Sequence, residues 1–140
     1  MRTTFTLSVL AVLLVVASSP SLAEMIIERV SKVRAKGLGM EIRAKASSPS
    51  NAWVELEFQA EGTLKDFDHV SLEIREGETF LLGYARLREK RSSSGKVVVG
   101  FMANRAYLDK VTLSAVTGHP MYFAGHELRL KDFVELEKLR

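Results

Sequence analysis

The chain has 140 residues, with 20 Lys and Arg, 17 Asp and Glu, and no cysteine. A charge balance this close lacks the strong basic excess of a dedicated nucleic-acid binder. The missing cysteines exclude disulfides, thiol catalysis, thiol redox chemistry and cysteine-ligated metal.

Met1 to Thr6 carries one positive charge, Arg2, and no acid. Leu7 to Ala17 is apolar except for Ser8. Ser18 to Ala23 turns small and polar around Pro20 and ends Ser21-Leu22-Ala23. This order of charge, short apolar core and small-x-small site is that of a secretory signal peptide cleaved after Ala23. A membrane span needs roughly 20 apolar residues, and this run stops at about half that length. A lipid anchor on the new N-terminus would need a cysteine. Residues 1–23 are therefore expected to be a cleaved signal. Residues 24–140 are then one mature domain, secreted or periplasmic, with no transmembrane segment.

The mature part, about 117 residues, is long enough to bury a real core without disulfide support. Without Arg2 the 20 Lys and Arg fall to 19 against 17 acids, leaving +2.

Glu28 to Lys36 and Met40 to Ala46 read as two strands joined at Gly37-Leu38-Gly39. Their buried sides would be light: Val33 and Ala35 on one, Ile42, Ala44 and Ala46 on the other. Ala52 to Glu61 shows the clearest period of two, with Val54, Leu56 and Phe58 against Trp53, Glu55, Glu57, Gln59 and Glu61. Val70, Leu72 and Ile74 repeat it, and Glu76-Gly77-Glu78 is a tight turn. Thr79 to Leu87 has apolar residues on both faces. It is expected to be covered on both sides, or to be a bulged strand that changes sheet near Gly83.

Arg91 to Lys96 is a loop by composition, and Val97 to Ala103 a β-branched strand. Asn104 to Asp109 reads as a corner or helical turn with Tyr107 and Leu108 folded inward. Val111, Leu113 and Ala115 mark a strand that Gly118-His119-Pro120 breaks, and Glu127 to Leu130 a short late one. In Lys131 to Arg140, Phe133, Leu136 and Leu139 fit a short helix, although the segment also suits a strand.

Seven or eight short strands with turns between them predict an all-β antiparallel sandwich. Immunoglobulin-like architecture suits this length, although its Cys-Trp-Cys pattern is missing. A jelly roll or closed barrel is the runner-up.

No catalytic set stands out. A Gly-x-Ser-x-Gly elbow is absent, and Glu55, Glu57 and Glu61 lie along a wet strand face, a poor place to raise a carboxyl pKa. No cofactor is expected. His69, His119 and His126, with Asp66 and Asp68, would suit zinc or copper if loops at one end of the sandwich brought them together. Their spacing matches no ligand motif.

Two basic clusters are the other candidates. Lys32, Arg34 and Lys36 would share a face with Arg43 and Lys45 if the first two strands paired. Arg86, Arg88, Lys90, Arg91 and Lys96 surround the Ser-rich loop, relieved by Glu89. Either suits an anionic envelope or extracellular component or an acidic protein surface. The plainer alternative is a solvated face whose cations protect sheet edges and pair with Glu55, Glu57 and Glu61, at about 0.2–1 kcal/mol each. Trp53 is out of phase with the buried residues of its strand. It is either a contact residue or a rim residue covered by the Ser47–Asn51 loop or by the second face of a sheet.

The resulting expectation is an exported, non-catalytic binding module. The alternatives are a histidine metal site and a structural module that assembles through edge strands, with the N-terminal strands as candidates. Mass spectrometry of the exported protein should find its first residue at Glu24; an intact Met1 in the exported fraction removes the signal-peptide reading.

Overall fold

Alternation of apolar and polar residues sorts the side chains of Asn51–Gln59 and Phe67–Glu76 into an inner and an outer set. The computed structural model describes residues 25–119 and 122–139, so the expected signal segment lies outside the described residues. The strands are β1 (Met25–Arg29), β2 (Glu41–Ala46), β3 (Asn51–Gln59), β4 (Phe67–Glu76), β5 (Thr79–Tyr84), β6 (Arg88–Arg91), β7 (Lys96–Asn104), β8 (Val111–His119) and β9 (Tyr122–Arg129). They form a four-stranded sheet, β2-β3-β7-β6, and a five-stranded sheet, β1-β9-β8-β4-β5. Among the described residues, only the β1–β9 pairing is parallel. The fold is mostly β and sandwich-like, and the sheets do not close into a barrel.

The core lies between the sheets. Val54, Leu56, Phe58, Val97, Val99 and Phe101 come from one; Val70, Leu72, Ile74, Leu113, Ala115 and Leu128 come from the other. Phe58 meets Phe67 edge to face, with ring centroids 5.0 Å apart. The turn at Gly77 has φ 61°, the conformation expected of that hairpin.

The N-terminal reading needs correction. Glu28 to Lys36 is not one strand: β1 ends at Arg29, and α1 (Lys32–Gly37) follows. Ser31 caps α1, its hydroxyl accepting from the Arg34 N–H at 3.2 Å. The alternating Lys-Val-Arg-Ala-Lys run therefore winds helically, burying Ala35 and leaving Val33 84% exposed. β1 and β2 lie in different sheets and do not pair.

Thr79 to Leu87 is not covered on both sides. A β-bulge between Ile74 and Arg75 shifts the β4–β5 register, and the chain crosses to the other sheet after Tyr84 to form β6. The Ser-rich loop is the β6–β7 hairpin turn, with Gly95 at φ 86°. At the next corner, Arg105–Lys110 is a 3₁₀ turn that buries Leu108, while Tyr107 stays exposed. The late strand β9 begins at Tyr122, earlier than expected; Pro120 and Met121 lie outside the described residues. The C-terminal segment forms two 3₁₀ turns, Leu130–Asp132 and Leu136–Leu139, with Phe133, Leu136 and Leu139 packed on the core.

Phe101 sits at the centre of this layer, so Phe101→Ala should cost about 3–5 kcal/mol. Phe80→Ala on the exposed β5 should stay within about 0.5 kcal/mol. Urea unfolding of the two variants measures both.

Candidate functional site: a trench on the five-stranded sheet

The outer face of the five-stranded sheet carries short side chains in its middle. Ser71 pairs with Ser114, Glu73 with Thr112, and Val116 with Gly125. Taller groups rise around them. Ile27 and Arg29 stand on β1, Arg75 on β4 and Phe80 on β5. The result is two adjoining depressions of about 380 and 470 Å³ that share Ile27, Arg75 and Glu127.

Glu127 lies at the centre. It pairs with Ser114 on β8, an outward-facing position, yet is only 6% exposed. Arg75 reaches it from β4, two strands away, at 2.5 Å, and also holds Glu73 at 2.7 Å. The low side chains of Thr112 and Ser114 on β8 leave that path open, and Arg75 faces outward in the same alternation as Ser71 and Glu73. Burial pulls the Arg75 pKa down, but its hydrogen bonds to Glu127 and Glu73 outweigh this and hold it above the ordinary value. The site combines the Arg75 guanidinium, two carboxylates, hydroxyls and two exposed apolar walls, Ile27 and Phe80.

The predicted site residues are dispersed. His69 lies on this outer face, its Nδ1 2.7 Å from Asp68. His126 lies on the opposite, inner face beside Ala115, with Nε2 3.6 Å from Glu28. The side chain of His119 lies outside the described residues. No cluster of three or more metal-ligating side chains occurs among the described residues, and His69 and His126 do not share a site.

The first basic patch is also split. Lys32 and Lys36 are on α1 and line a depression with Met40, Ile42 and Phe133. Arg34, also on α1, is held by Glu28 at 2.8 Å. Arg43 and Lys45 alternate with buried Ile42 and face the other way. Arg43 bridges Glu41 at 3.0 Å and Glu57 at 3.6 Å. The Glu41 hydrogen bond raises the Arg43 pKa and lowers that of Glu41.

The second patch is largely neutralised. Glu89 holds Arg86 at 2.6 Å and Arg91 at 2.8 Å, while Lys96 bridges Glu57 at 2.8 Å. Arg91 also lies over the Phe67 ring, 4.6 Å from its centroid. Arg88 stacks over Trp53 at 5.6 Å. The Trp53 indole lies on Gly100, where a Cβ would come within 2.1 Å of the ring. Its Nε1–H donates to Glu55 at 3.2 Å. Lys32, Lys36, Lys45 and Lys90 have no ion pair among the described residues and do not form one patch.

Family models, curated proteins and solved structures yield no match to this chain. Among the described residues, no helix is long and apolar enough to cross a membrane.

Sequence reasoning named only His69 from the trench. A usable signal was present: Ser71, Thr112 and Ser114 are small polar residues at outward positions in strands. Glu127→Ala should cost about 1–3 kcal/mol, because it leaves the Arg75 guanidinium short of an acceptor. Arg75→Met with Glu127→Leu should lie closer to native stability than that single variant. Denaturant midpoints of the two variants test the pair.

Proposed function

We propose that this chain is an exported, non-catalytic binding module of immunoglobulin-like type that takes a protein partner in the trench. The observation that carries the contact surface is Glu127. An outward carboxylate only 6% exposed, fixed by Arg75 between apolar walls, gives a partner both a polar reference point and somewhere to bury apolar side chains. Ile27 is 54% and Phe80 58% exposed, which makes them the candidate anchors.

Strand order supports the architectural part. Lettering β2 to β9 as A, B, C, C′, D, E, F and G turns the sheets into ABED and GFCC′, with β1 added alongside G. The signal-like order of residues 1–23 supports export. The pairing of Arg43, Arg86, Arg91 and Lys96 with carboxylates favours a protein partner in the trench over an anionic component at the basic loops.

Photocrosslinking in the native envelope separates the surfaces. A crosslinker at Ser71 should capture a defined partner, and Ile27→Asp or Phe80→Asp should abolish capture. A crosslinker at Lys90, on the other sheet, should capture nothing. Capture at Lys90 with none at Ser71 returns the contact surface to the basic hairpin and overturns the proposal.

A further inference from the structure

Among the described residues the two sheets have four edge strands, and they differ in charge. Edge strands present unpaired backbone groups, and charged side chains along them discourage pairing with other chains. β2 carries Glu41, Arg43 and Lys45, and β6 is Arg-Glu-Lys-Arg throughout. β1 ends in Glu28-Arg29. β5, Thr-Phe-Leu-Leu-Gly-Tyr, has neither a charge nor a proline.

Phe80 is 58% exposed, and Leu81 and Leu82 are each 49% exposed. Phe80 pairs with Arg75 on the trench side, while Leu82 pairs with Ile74 on the core side. Apolar surface is therefore open on both faces of one edge. An added strand places side chains on both faces and satisfies the backbone between them. Among the described residues, no segment pairs with that side of β5.

We infer that β5 is a self-association edge, pairing antiparallel with β5 of a second copy about a two-fold axis near Leu82. Charges at the strand ends select this occupant. Glu76 and Glu78 precede β5; Arg86 follows its last residue in the crossover to β6. Antiparallel pairing brings the acidic end of each copy towards the basic crossover of the other, Glu78 towards Arg86. Parallel pairing would set like against like. The Glu78 side chain is 83% exposed and that of Arg86 43%. Their present partners, Arg29 and Glu89, form surface pairs of the kind that exchange at little cost. The two five-stranded sheets would join into one, with the trenches side by side. This inference does not depend on what occupies the trench.

Sedimentation velocity on the full exported protein, from micromolar to millimolar concentration, tests it. The mass should rise from one chain to two. Leu81→Lys should raise the dimer dissociation constant about tenfold or more, with the circular dichroism unchanged. Glu78→Arg should weaken the dimer, and adding Arg86→Glu should restore it, a recovery that simple misfolding does not produce. A monomer across the whole range overturns the inference, as does a dimer indifferent to Leu81→Lys. A dimer lost equally with Lys90→Glu on β6 also overturns it.

Discussion

One shared layer of apolar side chains between two sheets determines every other placement in this protein. Val54, Leu56, Phe58, Val99 and Phe101 face Leu72, Ile74, Leu113 and Leu128 across it. Strand geometry then leaves no choice about the alternate residues, because a slip of one position would turn the whole apolar set outward. Trp53, Glu55 and Glu57 are outside because Val54 and Leu56 are inside. Without cysteine, no covalent tie supplements this layer.

The trench is a consequence on the far side of the same sheet. With Leu113 and Ala115 committed to the core, Thr112, Ser114 and Val116 are turned outward, and the first two are too short to fill the surface above β8. Arg75 crosses that gap to Glu127. Such a pair adds little stability over an apolar replacement of similar volume, since both charges give up water. Its physical effect is orientation. The guanidinium is held by carboxylates from two strands, and the surface presents a defined pattern of charge between Ile27 and Phe80.

The four-stranded sheet shows the opposite arrangement. Its cations stand mainly on β2, β6 and the start of β7, and Glu55 and Glu57 stand on β3 between them. Much of its charge closes on itself, and Trp53 lies flat because Gly100 leaves room for the indole. Charge guards both edges of this sheet. Among the described residues, the outer side of the uncharged β5 is left unpaired.

The strands from Ala52 to Ile74 were legible because each has one apolar and one polar face, and burial obeys that period directly. Val97 to Ala115 was legible through β-branched content and turn residues. Lys32 to Lys36 was not: in so short a run, alternation satisfies a strand template and a two-turn helix equally, and the Ser31 cap chose the helix. β5 was half-legible, since the sequence marks it as apolar on both faces but cannot say whether another layer covers it. The candidate site was hidden because Arg75 and Glu127 are 52 positions apart and meet only through strand order. Which residues alternate, where the chain turns and that packing must hold the fold without disulfides can all be read along the chain. Which outward faces lie side by side, which cations find carboxylates and which edge is left unpaired among the described residues follow from the three-dimensional arrangement. Those properties depend on strand neighbours, and sheet order is set by long-range packing that local periodicity does not encode.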